Sequence, residues 1–272
     1  MRKYTIWCFL SVLFLVFLSC SSDDGKTCSV TSVNLKTVYY EQMGVLLVDP
    51  SFSGKIKFEY DENGKIVKMI GGFVSFYYPT GSGFEEGLFI DDSLVNEVSY
   101  RGDLITAQDN YRYDMPGRVI DYKIESGKLI ARKVKSYDDN GIEEITDYQY
   151  EYGSNQIIEK KDNKVFRTFY FEDDNLVKVE QVTHNYLTGE VMWKTEIVFS
   201  DYDSYENLLQ GKYFVNGTFF KAFSKNNFRK LQKKHYDYIA GQYVDSGNSS
   251  MFSFGSSVDQ NGLVDLFETT CN

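Results

Sequence analysis

The most constraining feature of this sequence is a short unit, Tyr-Asp-x-x-Gly, that recurs along the chain. Side chains alternate between the two faces of a β-strand, so the aromatic-x-aromatic pair in the first two copies places both rings on one face. The aspartate accepts hydrogen bonds from backbone N–H groups in a turn, and glycine adopts the positive φ angle that such turns need. The unit therefore predicts a series of β-hairpins. Its clear copies are Tyr60-Asp61-x-x-Gly64, Tyr113-Asp114-x-x-Gly117 and Tyr137-Asp138-x-x-Gly141.

Weaker copies of the unit and the residue composition extend this prediction to the whole chain. Echoes of the unit start at Tyr150 and Phe169, and a last one runs over 256–268. The chain has 22 Tyr and 21 Phe but only 3 Pro, and aromatic residues favour pleated, half-buried surfaces. Because the turns are short, successive strands are expected to pair with each other. The sequence thus predicts an all-β fold, an antiparallel meander of hairpin repeats that forms a large twisted sheet or an open sandwich.

One or two short helices are expected at most. Asp203 and Glu206 have the spacing of a capping box, and Gly211 would end a helix that starts there. Segment 226–239 has apolar residues at roughly helical offsets, but a strand fits it nearly as well.

The first residues of the chain are typical of a secretory signal. Arg2 and Lys3 precede an apolar segment, 6–18, that is shorter than the about 20 residues needed to span a bilayer. The following Leu18-Ser19-Cys20 resembles the lipobox of bacterial lipoproteins, although Phe17 stands where that pattern has leucine. The resemblance implies cleavage before Cys20 and lipidation of Cys20, which would anchor the protein in a membrane. An ordinary signal peptide with an incidental cysteine is the alternative.

The residues after the cysteine predict a flexible tether. Ser21-Ser22-Asp23-Asp24 has no apolar side chain to bury. It also resembles the surface-export signals of Bacteroidota lipoproteins, which implies an outer-membrane location facing the cell exterior. A plain spacer on a periplasm-facing lipoprotein is the alternative. The chain is accordingly divided into a signal peptide (1–19), a tether (20–30) and a single β-rich domain (31–272).

The repeats themselves carry a second resemblance. The segment YRYDMPGRVIDY, which starts at Tyr111, is similar to the YD repeat of RHS-type proteins, although no toxin domain of the kind that RHS shells enclose fits here. Over most of its length the chain more closely resembles β-rich lipoproteins of the Bacteroidota with irregular YD-like repeats. That group has no established activity, so the resemblance implies no site residues.

Two cysteines, Cys28 and Cys271, remain after the signal and the lipidated residue are set aside. Disulfides persist in the oxidising compartments outside the cytoplasm. A bond between these two would join the first strand to the last, and so long a loop contributes up to roughly 5 kcal/mol in the chain-entropy model. Two free thiols are the alternative.

Charge and the inventory of reactive residues exclude several functions. The formal net charge of −10 argues against binding of nucleic acid or of anionic lipid head groups. The 2 His lie in no catalytic motif, and no zinc-ligand spacing or phosphate-binding loop is present, so no metal and no cofactor are expected. Acidic pairs such as Asp91-Asp92 have the right chemistry for a glycosidase, but adjacent acids on a strand point to opposite faces.

The expected function is therefore non-enzymatic. The sequence predicts an outer-membrane-anchored lipoprotein that serves as a binding module for an envelope protein or an extracellular ligand. A carbohydrate-binding accessory protein of a nutrient-uptake system is the alternative, and a carboxylate-pair glycosidase is a third. The glycine-rich segment 71–87, on or near a loop, is a candidate ligand site, although packing of the sheet is the favoured use of its aromatic rings. Its aromatic residues are Phe76, Tyr77, Tyr78 and Phe84.

Overall fold

The computed structural model describes the backbone of ten stretches of the chain, namely residues 28–33, 37–40, 44–47, 55–80, 83–109, 117–137, 141–185, 187–215, 217–253 and 267–271. Side chains are described for residues 29–33, 55–72, 91–109, 117–137, 141–185, 187–215 and 217–249. Both cover the greater part of the predicted β-rich domain.

The described residues form seventeen strands and one turn of 3₁₀-helix. The first nine strands are β1 (Cys28–Val33), β2 (Thr37–Tyr40), β3 (Gly44–Leu47), β4 (Ile56–Tyr60), β5 (Ile66–Thr80), β6 (Gly83–Arg101), β7 (Leu104–Asp109), β8 (Val119–Glu125) and β9 (Lys128–Tyr137). The remainder are β10 (Glu143–Tyr152), β11 (Gln156–Lys161), β12 (Lys164–Glu172), β13 (Asn175–His184), β14 (Val191–Glu206), the 3₁₀ turn (Lys221–Phe223), β15 (Asn226–Ile239), β16 (Gln242–Ser253) and β17 (Phe267–Cys271).

The predicted antiparallel meander is confirmed. Strands β4 to β15 each pair with the next strand along the chain, and β1 lies between β4 and β17 in a sheet of 15 strands. Strands β2 and β3 form a separate pair. Every described pairing is antiparallel, as in the pair Tyr150–Glu159 between β10 and β11. By chain contacts the protein divides into two units, Val30–Glu268 and a smaller one of Met1–Ser29 with Thr269–Asn272.

Within the larger unit, alternate side chains of the strands point to one face of the sheet, here called the inner face. The buried residues Tyr122, Val134, Phe169 and Ile197 belong to it. Their strand neighbours point to the opposite, outer face, where Asp121 and Lys133 lie. This alternation is the period of two that a half-buried strand requires.

A long connection between β14 and β15 covers the inner face. This cover segment, residues 207–215 and 217–225, buries eight apolar side chains, which are Leu209, Tyr213, Phe214, Val215, Phe219, Phe220, Ala222 and Phe223. Its rings pack on the sheet, with centroid distances of 4.7 Å between Phe223 and Phe169 and 5.5 Å between Phe220 and Phe199. Burial of one such side chain contributes about 1.5–3 kcal/mol. The cover segment therefore supplies much of the core.

Asn207 fastens the two ends of the cover segment together. Its side-chain amide donates to the carbonyl oxygens of Lys221 at 2.6 Å and Ser224 at 2.8 Å. Its backbone N–H donates to Lys225 at 2.9 Å. The buried amide thus provides hydrogen bonds to backbone carbonyl groups that have no partner in a neighbouring strand, because the cover segment is irregular.

Two details differ from the sequence predictions, and one alternative that they left open is decided. The helix expected from Asp203 does not form, because residues 201–206 continue β14 and Gly211 lies in a turn at φ +74°. The ambiguous segment 226–239 is strand β15. Residues 28–30, assigned above to the tether, belong to β1, where Val30 and Val33 are buried against the sheet. In each case packing against a neighbouring strand overrides the local pattern.

Candidate interaction surface

The meander places its turns alternately at two ends of the sheet, and one of these ends is polar. Here lie the turns that join β4 to β5, β8 to β9 and β12 to β13, with the sequences Asp61–Lys65, Ser126-Gly127 and Asp173-Asp174. Both Asp173 and Asp174 adopt positive φ angles, of 48° and 64°. Acidic, amide and glycine residues at these positions are what tight hairpins require.

The opposite end of the sheet exposes large apolar side chains. It carries the turns that join β9 to β10, β11 to β12, β13 to β14 and β15 to β16. Leu187 is 76% exposed and Ile142 is 62% exposed, although both are aliphatic. Among the described side chains, the exposed large apolar residues all lie in or within three residues of these turns. They are Ile142, Ile145, Val165, Leu187, Met192, Tyr238, Ile239, Tyr243 and Val244, here called the apolar rim.

The apolar rim follows the edge formed by successive turns. Neighbouring strands are about 4.8 Å apart, so the rim extends about 30 Å from the β9–β10 turn to the β15–β16 turn. Its densest part is the β15–β16 hairpin, where Tyr238 pairs with Tyr243 across the strands and Ile239 pairs with Gln242. The two tyrosine rings lie 5.1 Å apart at an angle of 57°. Positive φ angles at Ala240 and Gly241 make the two-residue turn of this hairpin.

Next to the rim, the outer face of β12 to β16 carries tyrosines and charged residues, here called the tyrosine–glutamate face. Its centre is Glu180, which accepts hydrogen bonds from the Tyr170 hydroxyl at 2.8 Å and from the Lys178 and Lys194 ammonium groups at 3.1 and 3.4 Å. Partial burial opposes ionisation of Glu180, but these hydrogen bonds and the two lysine charges outweigh it and lower its pKa. Burial and the Glu180 carboxylate raise the pKa of Tyr170 to about 12.

A second carboxylate lies beside the first. Glu196 on β14 is directly opposite Glu180 on β13, so the two side chains point to the same face. Lys194 extends between two further rings, at 4.9 Å from the centroid of Tyr236 and 5.1 Å from that of Tyr243. Burial and the nearby carboxylates, first among them Glu196, raise the pKa of Tyr236. The tyrosine–glutamate face thus combines fixed charges with exposed aromatic rings.

An open polar cavity of about 590 Å³ lies on β7 to β10, beside the rim. Its outer-face lining includes Asp121, Lys133, Asp147 and Gln149, and Asp162 of the β11–β12 turn closes one side. Lys133 and Asp147 form an ion pair at 3.6 Å and both are more than half exposed. No group of three or more potential metal-binding side chains occurs among the described residues.

The inner face contains a buried ionic cluster that the sequence did not reveal. Glu159 accepts hydrogen bonds from Arg132 at 3.1 Å, from Arg167 at 2.8 Å and from the Tyr150 hydroxyl at 2.6 Å. The side chains of all three charged residues have no exposed surface. Being closed to solvent beneath Phe219, this cluster belongs to the core and not to a binding site. The sequence signal for this cluster is weak. On each of three strands, a charged residue stands two positions from an apolar residue of the inner face.

In the first copy of the unit, the predicted residues lie at a turn between two strands. Tyr60 ends β4, and the Asp61 carboxylate accepts hydrogen bonds from the backbone N–H groups of Asn63 at 2.9 Å and Lys65 at 2.8 Å. The bond from Lys65, above all, lowers the pKa of Asp61. Gly64 has a φ angle of +73°.

The other two copies of the unit are only partly described. Tyr137 ends β9 and pairs with Glu143, and Gly141 precedes β10 at φ +76°. Gly117 lies two residues before β8. Tyr113, Asp114 and Asp138 lie outside the described residues, and so does Cys20.

The aromatic segment lies next to a loop. Phe76, Tyr77 and Tyr78 lie in β5 and Phe84 lies in β6, on either side of the connection 81–82, and the backbone pairs up to Thr80 and Gly83. The side chains of the four aromatic residues lie outside the described set. Since β5 starts at the polar end, its hairpin with β6 closes at the same end of the sheet as the apolar rim.

The predicted disulfide residues lie on strands that are neighbours in the sheet. Cys28 starts β1 and Cys271 ends β17, and both belong to the smaller unit. Their side chains are outside the described set, so the disulfide stays a prediction.

The sequence analysis did not predict the apolar rim, because turns are recognised by their Asp, Asn and Gly residues and the aliphatic residues beside them carry no turn signal. The available signal was an aliphatic residue beside a turn glycine, as at Ile142 after Gly141 or Leu187 before Gly189. The two histidines lie on separate strands, His184 at the end of β13 and His235 within β15.

Comparison with known proteins yields only distant similarity. No family model and no curated protein matches the sequence. A solved structure of a porin-like protein from Bacteroides vulgatus has 13% identity and a TM-score of 0.42, covering 84% of this chain and 99% of that one. A porin-like protein from Bacteroides uniformis has 10% identity and a TM-score of 0.39, covering 83% and 96%. Within the described residues there is no helix with the length and apolarity to cross a membrane.

Proposed function

We propose that this chain is an outer-membrane-anchored lipoprotein that acts as a non-enzymatic interaction module, and that its apolar rim docks another envelope protein. The observation that carries the proposal is the grouping of exposed apolar side chains at one end of the sheet. Single exposed apolar residues are ordinary on protein surfaces, whereas a group of them marks an interaction site. The mixture of aliphatic and tyrosine side chains is that of a protein–protein interface.

The location rests on the sequence of the first residues. The lipobox-like Leu18-Ser19-Cys20 supports lipidation, and Ser21-Ser22-Asp23-Asp24 supports display on the cell exterior. The YD-like repeats support a relationship to the β-rich lipoproteins of the Bacteroidota. An acylated cysteine with two or more chains provides stable membrane anchoring.

Chemistry on the described surface favours binding over catalysis. Glu180 and Glu196 are the facing carboxylates that a glycosidase would use. The pKa of Glu180 is lowered, however, so Glu180 lacks the raised pKa that the general acid of such an enzyme needs. A carbohydrate-binding accessory role is the second candidate, favoured by the exposed rings of Tyr238 and Tyr243 beside these carboxylates.

The test is cross-linking on intact cells with a membrane-impermeant reagent, followed by mass spectrometry of the recovered protein. Wild type is compared with a rim variant, Leu187→Ser/Ile239→Ser/Val244→Ser, and with Glu62→Ser, an exposed change at the polar end. We expect a discrete envelope protein to be recovered with wild type and Glu62→Ser, and at least fivefold less with the rim variant.

Equal recovery of the partner with the rim variant would assign docking to another surface. Labelling of the protein without any cross-linked partner would refute the docking role. Absence of labelling, with a control surface lipoprotein modified, would refute display on the cell exterior.

A further inference from the structure

We propose that the tyrosine–glutamate face is a second binding site, for a neutral carbohydrate chain laid across β12 to β16. In this site Tyr238 and Tyr243 provide rings for stacking, and Glu180 and Glu196 accept hydrogen bonds from sugar hydroxyls. The proposal deepens the carbohydrate-binding candidate given above. It shares Tyr238 and Tyr243 with the apolar rim and adds the carboxylates of the outer face, which the docking role does not use.

The polar groups of this face are held in place before any ligand arrives. Glu180 is fixed by three donors, Tyr170, Lys178 and Lys194, at 2.8 to 3.4 Å. Only 23% of the Glu180 side chain and 17% of the Lys194 side chain are exposed. A carboxylate has about four acceptor positions, so Glu180 keeps capacity for a further hydroxyl. Fixed hydrogen-bonding groups reduce the conformational entropy that binding must overcome.

The aromatic part of the site is open to solvent. Tyr238 and Tyr243 are 39% and 40% exposed, and they pair across the strands with ring centroids 5.1 Å apart. Tyrosine combines an apolar ring face with a polar hydroxyl, which suits it to surfaces that are both apolar and hydroxylated. A pyranose ring has this dual character. The Lys194 ammonium group contacts two of the rings, at 4.9 Å from the centroid of Tyr236 and 5.1 Å from that of Tyr243.

Charge favours a neutral ligand. The carboxylates of Glu180, Glu196 and Asp245 all lie near Tyr236. Lys178 and Lys194 are already engaged with Glu180. An anionic polymer approaching this face, on a chain of net charge −10, would meet three carboxylates, which outnumber Lys234, the further lysine that lies opposite Glu196 on β15. Hydroxyl groups, in contrast, can donate to the carboxylates and accept from the tyrosine hydroxyls.

The arrangement of the side chains predicts the direction of the ligand. Tyr170, Glu180, Glu196, Tyr236 and Tyr243 lie on five successive strands, β12 to β16. With about 4.8 Å between strands, the row extends about 19 Å across them, and the strand registers also displace it along the strands, so the row runs diagonally over the sheet. Such a row contacts several sugar rings of an extended chain, so affinity should increase with chain length.

The test uses full-length protein in detergent and native gels that contain soluble starch, dextran, mannan, xylan or, as the anionic probe, polygalacturonate. Wild type is compared with Tyr243→Ala, with Glu196→Gln and with the control Tyr137→Ala, a partly exposed tyrosine on β9. Urea midpoints establish that all variants are folded. Isothermal titration with oligosaccharides of the retarding polymer then gives Kd as a function of chain length.

We expect at least one neutral polysaccharide to retard wild type and Tyr137→Ala. Tyr243→Ala and Glu196→Gln should each raise the Kd at least tenfold. The Kd of wild type should decrease as the oligosaccharide lengthens to about four rings. The proposal is overturned if no neutral polysaccharide retards wild type, if only polygalacturonate does, or if both variants bind as wild type does. It also fails if Tyr243→Ala loses the cross-linked envelope protein while polysaccharide binding is absent, because the tyrosines would then belong to the protein-docking surface.

Discussion

Replacement of Glu159 by alanine is expected to lower the free energy of unfolding by about 3–5 kcal/mol. Glu159 has no exposed side-chain surface and forms ion pairs with Arg132 at 3.1 Å and Arg167 at 2.8 Å. Hydrogen bonds to charged groups contribute about 1.5–3 kcal/mol each, so loss of these two alone accounts for the expected range. Two guanidinium groups stay buried on the inner face after the carboxylate is removed, and their desolvation is then less well compensated.

Urea unfolding measured by circular dichroism checks this expectation. With an m-value of about 3 kcal/mol per molar urea, the midpoint should fall by more than about 1 M. The matched control is Glu180→Ala, which also removes a carboxylate bound by a tyrosine and two basic groups, but from a side chain that is 23% exposed. Its expected cost is about 1 kcal/mol or less, because solvent screens the interaction.

A second variant separates charge imbalance from loss of packing. Replacing Arg132, Glu159 and Arg167 together by Met, Leu and Met removes all three charges and keeps much of the volume. This variant should be as stable as wild type or more stable by about 1–4 kcal/mol. Equal midpoints for Glu159→Ala and Glu180→Ala, or a triple variant as unstable as Glu159→Ala, would refute the reasoning from burial.

Four further outcomes are expected. Phe219→Ala should lower the free energy of unfolding by about 3–5 kcal/mol in the same urea assay, because it leaves a cavity under the cover segment. Burial lowers the pKa of Lys221 to about 8, so the unfolded state binds more protons between that value and the ordinary lysine pKa, and wild-type stability should rise with pH there relative to Lys221→Met. Cys20→Ala should move the protein from the membrane fraction to the soluble fraction after cell lysis. Intact mass should increase by the mass of two hydrogen atoms when a bond between Cys28 and Cys271 is reduced; an unchanged mass would mean two free thiols.

The meander could be predicted because its information is local. Asp61 and Gly64 determine one turn through contacts within five residues, and the alternating residues on either side determine which face is buried. When each connection is short, the order of strands in the sheet follows the order in the chain. No long-range information is needed, so one sequence was sufficient.

The cover segment and the ionic cluster depend on long-range contacts and could not be predicted. Phe223 contacts Phe169 and Tyr150, which lie 54 and 73 positions earlier in the numbering. The local pattern predicted a helix at the start of this segment, because Asp203 and Glu206 have capping-box spacing. That spacing is the same when the two residues lie in a strand. Glu159 meets Arg132 only because the registers of β9, β10 and β11 bring them together on one face. A charged residue in a strand ordinarily indicates an exposed position.

The apolar rim is the feature that turn geometry does not explain, and this gives it functional weight. Both ends of the sheet meet the same backbone requirement, since positive φ angles occur at Asp173 and Asp174 at the polar end and at Ala240 and Gly241 in the rim. At the polar end, charged and amide residues stand beside these turns. In the rim, Ile239 stands beside the turn, and 56% of its surface is exposed. Exposed apolar area costs about 25 cal/mol per Å² relative to burial, and polar residues at the same positions would make equally good hairpins. Since the hairpins do not require these side chains, rim variants should be as stable in urea as wild type, and under the proposed docking role they should lose the cross-linked partner.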